Sequence, residues 1–218
     1  MKKISEIYEE YKIIPSLQEH MLRVAAVASL ICDNFTEPLP KEEIITACLF
    51  HDMGNIIKFR MDIMPQFFEP EGIEYWQKVQ EEFRGKYGEN EHKATVQIMR
   101  ELGSRDEVIK VVEGINFLLF CNHRDSDDFS VKIVVCADGR VDPHGIVSYE
   151  ERMEEGRKRY QNHKSTFGAV DENKRQELVA CGKDIEKQIF AKCKIRPEDI
   201  TNESVAPIIT GLRNFVIK

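Results

Sequence analysis

The chain has 218 residues, a formal net charge of -7 and a sequence pI of about 5.5, so no overall positive field attracts a nucleic acid polymer or an anionic membrane. Its residues are 42% hydrophobic and 32% charged, which excludes an intrinsically disordered chain and is ordinary for a globular protein. No stretch approaches the length of a membrane span, and the N-terminus turns acidic before a signal-peptide core can form, so we expect a cytoplasmic protein.

Helical patterns follow one another along nearly the whole chain and predict an all-α fold. Start and stop residues place about ten helices near residues 3–11, 16–34, 41–52, 71–86, 90–102, 105–120, 130–141, 149–163, 172–193 and 203–215. Gly103 predicts one helix end. Three helix starts match a capping box, at Ser16-x-x-Glu19, Ser104-x-x-Glu107 and Ser148-x-x-Glu151. Because there is no internal repeat and no linker rich in Pro, Gly or Ser, residues 1–218 are expected to form a single domain.

Two segments, residues 115–120 and 131–137, are rich in strand-forming side chains and could be buried strands. We interpret both as helical, because no other part of the chain offers them a sheet. The stretch 55–70 carries two prolines and is a candidate lid or pocket wall.

The six cysteines raise the question of a disulfide framework. They form no CxxC pair and mostly lie in apolar helical patterns, which favours buried free thiols. These cysteines are Cys32, Cys48, Cys121, Cys136, Cys181 and Cys193.

A polar pair, His51-Asp52, closes the apolar run 44–50. A histidine and a carboxylate are costly to bury without partners, and together they suit a divalent transition metal. In the first long helix His20 stands inside the apolar stripe formed by Leu17, Val24, Val27 and Ile31, where a core residue should be.

Three further ligand-type residues fall on apolar helical faces. His92 aligns with Val96 and Met99, His123 aligns with residues 112, 116 and 119 near the end of their helix, and Asp138 aligns with residues 131 and 134 or 135. A single histidine of this kind is more often a satisfied core or surface residue, and Asp138 alone could cap a helix or form an ion pair. A core that holds four histidines and two carboxylates without a shared partner is improbable, so together they predict a metal site.

The segments 19–25, 49–54 and 131–138, which contain His20, His51-Asp52 and Asp138, resemble the HD-domain superfamily of metal-dependent phosphohydrolases. The resemblance covers roughly residues 16–142. It implies an HD-type helical bundle with its core at 16–142, followed by a C-terminal helical extension at 143–218 that we expect to pack on the core. For the terminal helices after Asp171 a homodimer contact is the alternative, and their sequence does not decide between the two. It also implies that His20, His51, Asp52 and Asp138 bind a first metal ion. His92 and His123 match the extra histidines of HD proteins with two metals, where Asp52 bridges the ions.

The chain departs from one common form of the family pattern, in which His-Asp-x-Gly is followed by lysine. Asn55 stands at that position, as a candidate substrate-binding residue, and Lys58 is the nearest lysine that could replace the missing one. Arg23, one turn from His20, and Arg124, next to His123, are candidate clamps on a phosphoryl group. The alternative for each arginine is an ordinary surface charge.

The resemblance implies hydrolysis of a phosphoester by a metal-activated hydroxide, with a nucleotide or another small phosphorylated metabolite as the substrate. A site of histidines and carboxylates without a thiolate suits one or two ions of Fe, Mn or Ni, with Zn or Mg as alternatives. Two alternatives to a phosphohydrolase stay open at this point: a di-iron oxygenase of the same superfamily, and a non-catalytic nucleotide sensor. His144 and His163 are interpreted as loop or surface residues.

Overall fold

The computed structural model describes residues 1–160 and 170–217. It confirms the all-α class. The eleven α-helices of the described residues are α1 (Ile4–Glu10), α2 (Pro15–Asn34), α3 (Lys41–Phe50), α4 (Ile73–Tyr87), α5 (Glu91–Glu101), α6 (Asp106–Glu113), α7 (Phe120–Asp125), α8 (Phe129–Asp138), α9 (Tyr149–Tyr160), α10 (Glu172–Phe190) and α11 (Asn202–Leu212). Shorter 3-10 helices cover Asn55–Lys58, Pro65–Phe68, Phe117–Leu119 and Pro197–Asp199.

The centre of the molecule consists of α2, α3 and α8, which all pack against one another. Helix α2 begins with Pro15 in its first position, where a missing N–H costs no hydrogen bond. Helix α3 is buried on all sides from Ile44 to Phe50, and α8 from Val131 to Ala137. A helix that is apolar all round belongs in the core. The site described below lies at the ends of these buried helices.

The C-terminal helices pack on this centre. Helix α10 lies against α7 and α8, and α11 lies against α2. Two short antiparallel strands, β1 (Lys2–Lys3) and β2 (Val216–Ile217), join the two ends of the chain. The division into an HD core at 16–142 and an extension at 143–218 stays a prediction. Within the described residues, no helix has both the length and the apolar character of a membrane span.

The predicted helix at 105–120 is wrong in its second half. Helix α6 ends at Glu113. The side-chain oxygen of Asn116 then accepts a hydrogen bond from the backbone N–H of Leu118, which starts a 3-10 turn instead of continuing the helix. His123 therefore lies in α7, and its predicted alignment with Val112 on one helix is also wrong. The other ambiguous segment, 131–137, is helical as predicted.

Two of the three predicted capping boxes are absent. Helix α2 already begins at Pro15, and α6 begins at Asp106, so neither Ser16 nor Ser104 occupies the position of an N-cap. The third box is confirmed: the backbone N–H of Ser148 donates to the carboxylate of Glu151 at 2.8 Å, and the Glu151 N–H donates to the Ser148 hydroxyl at 3.2 Å. The Gly103 stop is confirmed by its positive φ of 71° directly after α5. Residues 161–163, the end of the predicted helix at 149–163, lie outside the described residues.

The prediction of free thiols is wrong for two cysteines. Cys121 in α7 and Cys181 in α10 form a disulfide, with their Cα atoms 5.0 Å apart. Their separation of 60 residues left no local pattern in the sequence, and the pairing follows from the packing of α7 on α10. The remaining cysteines are free, as predicted: Cys32, Cys48, Cys136 and Cys193.

Candidate metal site

Four of the predicted ligands meet where the three central helices end or cross. His51 directly follows Phe50, the last residue of α3, and Asp52 is the next residue in the turn. Asp138 is the last residue of α8, and His20 lies in the N-terminal half of α2. These four residues are called the inner group below. Because the helices that hold them are buried, the donor atoms are positioned by the core of the protein.

The polar atoms of the inner group lie close together. The Nε2 atom of His20 is 3.1 Å from Oδ1 of Asp138 and 3.7 Å from Oδ2 of Asp52. The Nε2 atom of His51 is 3.7 Å from each of the same two oxygen atoms. The two imidazole rings have their centroids 5.4 Å apart. Both histidines thus direct Nε2 at the same pair of carboxylates.

The orientation of His51 is set by its other ring nitrogen. Nδ1 lies 2.7 Å from the backbone oxygen of Cys48, so Nδ1 carries the proton that is donated to that carbonyl. Nε2 is then free to accept or to coordinate. It is buried, and it has no hydrogen-bond partner among the described residues, which is costly for a polar atom unless another group binds it.

The charges of the inner group perturb its titration. Burial lowers the pKa of His51, but the carboxylates of Asp52 and Asp138 outweigh this effect and raise the pKa to about 9. Burial raises the pKa of Asp138, but the hydrogen bond from His20 and the positive charges of the two histidines hold it well below its usual range. The negative field that attracts a proton to His51 also attracts a divalent cation, which would replace the proton on Nε2.

These distances suit a shared metal ion. Donor atoms that bind one ion at about 2.0–2.2 Å, with angles of 90–110° at the ion, lie about 3–3.5 Å apart. Within the described part of the chain, His20, His51 and Asp52 form one group whose ligand atoms all lie within 4.8 Å of one another. Asp138 contacts both histidines of that group. The two nitrogens and the carboxylate oxygens fit a divalent transition metal.

His92 and His123, called the outer pair below, are not part of this close group. His92 lies in the first turn of α5, and that turn packs tightly on the turn that follows Asp52. A Cβ atom on Gly54 would lie 2.2 Å from the backbone oxygen of Glu91, so only glycine permits this approach. The Gly54 N–H also donates to the hydroxyl of Thr95 at 2.9 Å. Helix α5 is therefore held beside the inner group.

His123 is held by a backbone contact in the region where the predicted helix breaks. Its Nε2 lies 2.8 Å from the backbone oxygen of Gly114. The guanidinium of its neighbour Arg124 pairs with Asp125 at 2.7 Å and lies 3.3 Å from the sulfur of Cys181. Arg124 thus faces α10 and its own neighbour in the sequence, and no contact joins it to the inner group in the described residues.

Of the other predicted substrate contacts, Asn55 and Lys58 lie in the 3-10 turn that follows Asp52, and Arg23 lies on α2. Asn55 is buried, and its N–H donates to the backbone oxygen of Asp52 at 2.9 Å. The exposed ammonium of Lys58 lies 3.4 Å from the carboxylate of Glu91 in α5. Arg23 is half-buried and donates a long hydrogen bond of 3.5 Å to the backbone oxygen of Pro143. It remains one turn from His20 on α2.

The residues that support the site were not predicted from the sequence. The carbonyl of Cys48 orients His51, and Thr95 with Gly54 seats α5. The first contact is local, but it uses a backbone carbonyl, which leaves no mark in the pattern of side chains. The second joins segments that are 41 residues apart, so helical periodicity could not reveal it. The small residue Gly54 directly after His51-Asp52-Met53 was the only local sign of a close approach.

Comparison with known protein families gives one match. A model described as HD domain matches residues 17–120. The matched segment contains His20, His51, Asp52 and His92, and it ends before His123 and Asp138. No curated protein and no solved structure matches the chain.

Proposed function

We propose that this chain, whose residues 17–120 match the HD-domain model, is a metal-dependent phosphohydrolase that cleaves a phosphoester of a nucleotide or another small phosphorylated metabolite. Proteins with this domain are usually metal-dependent phosphohydrolases. The observation that carries the proposal is the buried Nε2 atom of His51. It has no hydrogen-bond partner in the described residues, and it faces two carboxylates that His20 also faces.

In this proposal the inner group holds the first divalent ion, and Fe, Mn or Ni suits its donors best. When bound, the ion lowers the pKa of a water ligand to about 7 and so supplies hydroxide at neutral pH. Cys48 keeps the His51 ring in the required tautomer through its carbonyl. Oδ2 of Asp52 is 3.7 Å from both histidines, and Asp52 directly precedes the turn on which α5 packs.

Binding of the phosphate is assigned to basic side chains near the inner group. Arg23 lies one turn from His20, and its present contact with Pro143 is a single long hydrogen bond, so most of its five donors can turn to a phosphoryl group. Lys58 replaces the lysine that many family members carry at the position of Asn55. Its exposed ammonium must leave Glu91 to do so. Arg124 is the weakest of these assignments, because Asp125 already holds it.

A second ion would be held by the outer pair together with Asp52. The packing of the first turn of α5 on Gly54 supports this assignment for His92, since it holds that turn beside Asp52. His123 would have to exchange its contact with the Gly114 carbonyl, or use its other ring nitrogen.

The proposal is tested by metal analysis and by a panel of phosphoesters. We expect the purified protein to bind one or two divalent ions per chain and to hydrolyse a small phosphoester with Mn, Fe or Ni, and chelation should abolish turnover. A protein that binds no metal, or that turns over no phosphoester in any metal form, would overturn it. Oxygen consumption that depends on iron and on substrate would instead favour the oxygenase alternative.

A further inference from the structure

Two loops are anchored on the helix that carries His20, and the first is the 3-10 turn Pro65–Phe68. The hydroxyl of Ser16 in α2 donates to the backbone oxygen of Phe67 at 3.4 Å. The indole N–H of Trp76 in α4 donates to the backbone oxygen of Phe68 at 3.2 Å. The turn is therefore attached to two helices, and it holds the half-buried ring of Phe67 beside α2.

The second loop follows Asp138 and forms a tight turn at residues 142–145. A carboxylate oxygen of Asp142 accepts the N–H groups of His144 and Gly145, both at 2.7 Å. Arg23 in α2 donates to the backbone oxygen of Pro143 at 3.5 Å. His144 is exposed on this internally bonded turn, as expected for a loop or surface residue.

The two loops meet. The rings of Phe67 and His144 have their centroids 6.0 Å apart, within the range of aromatic contact. Their anchors Ser16 and Arg23 are seven residues apart on α2, or about 10 Å along the axis, and His20 lies between them on the same face. The Phe67–His144 contact therefore spans the face of α2 from which His20 reaches the inner group.

We propose that Phe67 and His144 form a bridge over the mouth of the metal site and restrict its substrates to phosphate monoesters. This inference rests on the proposed function. A monoester enters with its phosphate first and has one substituent that must remain outside. A diester carries a substituent on each side of phosphorus, and the ring contact closes the gap through which the second substituent would pass.

The bridge itself is tested on the metal-free protein. Diethyl pyrocarbonate acylates accessible imidazole nitrogens, and mass spectrometry of peptides gives the rate for His20. We expect Phe67→Ala and His144→Ala each to raise this rate several-fold, whereas Leu118→Ala, a truncation of an exposed side chain in another loop, should leave it unchanged. His144 is exposed, so its variant keeps the test valid if Phe67→Ala does not fold. Rates within twofold of wild type in both variants would overturn the bridge.

The substrate restriction is tested with 4-nitrophenyl phosphate and bis(4-nitrophenyl) phosphate on the Mn-loaded protein. Phe67→Ala should raise the diester-to-monoester ratio of kcat/KM at least about tenfold, the size of a typical steric discrimination in a pocket, and Leu118→Ala should not change it. An unchanged ratio with clear monoester turnover would overturn the restriction and leave the proposed function intact. Absence of turnover with every phosphoester would remove the proposed function, and the substrate restriction with it.

Discussion

The inner group and the outer pair of the proposed metal centre are supported by different kinds of structure. Three residues of the inner group lie at the ends of α3 and α8, which are buried on every side, and His20 lies on α2, which packs against both. The donor atoms already lie 3.1–3.7 Å apart. The outer pair lies on α5 and on the short helix α7. Helix α5 is held by its close approach to Gly54, and α7 is held by a backbone hydrogen bond of His123 and by a disulfide to α10. Donors that belong to the core are preformed, whereas donors on peripheral helices depend on a few individual contacts.

The largest effect is expected at Asp52, the carboxylate of the inner group that is proposed to serve both ions. Asp52→Ala should lower kcat/KM by more than the ~100-fold that loss of an outer partner of a metal ligand costs. Mn²⁺ at about 100 times its Kd should raise the free energy of unfolding of wild type by about 2.7 kcal/mol and should leave that of the variant unchanged. Activity assays and urea titrations with and without Mn²⁺ measure both effects.

The matched control is Asp33→Ala, which removes an exposed carboxylate from the end of α2, where it pairs with Lys41. Its activity and its response to Mn²⁺ should equal those of wild type. If Asp52→Ala retained wild-type turnover, the inner group would not be the reactive centre.

The next largest effect concerns the disulfide that ties α7 to α10. Because it closes a loop across a separation of 60 residues, reduction should lower the free energy of unfolding by about 2–4 kcal/mol. Urea titrations of wild type with and without dithiothreitol give this difference. The double variant Cys121→Ala, Cys181→Ala should lose its response to the reductant, and a wild type that also ignores the reductant would contradict a disulfide in the folded protein.

The disulfide marks the limit of what the sequence could predict. Helical periodicity gave the all-α class and pointed His20, His51 and Asp138 into the core, because burial and helical spacing are local properties. The break after α6 comes from a hydrogen bond between the Leu118 N–H and the side chain of Asn116, which replaces the helical pattern. Apolar periodicity does not register such a bond, so the prediction continued the helix. The pairing of Cys121 with Cys181 and the anchoring of His144 beside Phe67 depend on tertiary packing, so no periodic signal preceded them.

Substitution of the outer pair should have a smaller effect than substitution of Asp52. His92→Ala and His123→Ala should each lower the bound metal from two ions to one and reduce kcat/KM by about 10–100-fold, while the inner group keeps its ion. Metal stoichiometry by mass spectrometry separates the two groups. If wild type and both variants each bound a single ion, the centre would be mononuclear, and the outer pair would not be a metal site.

The smallest expected effect tests the contact that seats α5. Gly54→Ala places a Cβ atom 2.2 Å from the backbone oxygen of Glu91. Because that oxygen can move only if α5 moves with it, we expect the free energy of unfolding to fall by about 1–3 kcal/mol. Gly85→Ala is the matched control. It lies inside α4 with nothing within 4 Å of the added carbon, and it should stabilise the protein by about 0.5–1 kcal/mol, since alanine is the better helix former. If Gly54→Ala lowers the free energy of unfolding and Gly85→Ala raises it, then the close packing at Gly54, and not a general property of glycine, holds α5 beside Asp52. If Gly54→Ala also raised the free energy of unfolding, the turn after Asp52 would be able to widen. The position of His92 relative to the inner group would then not be fixed by this contact.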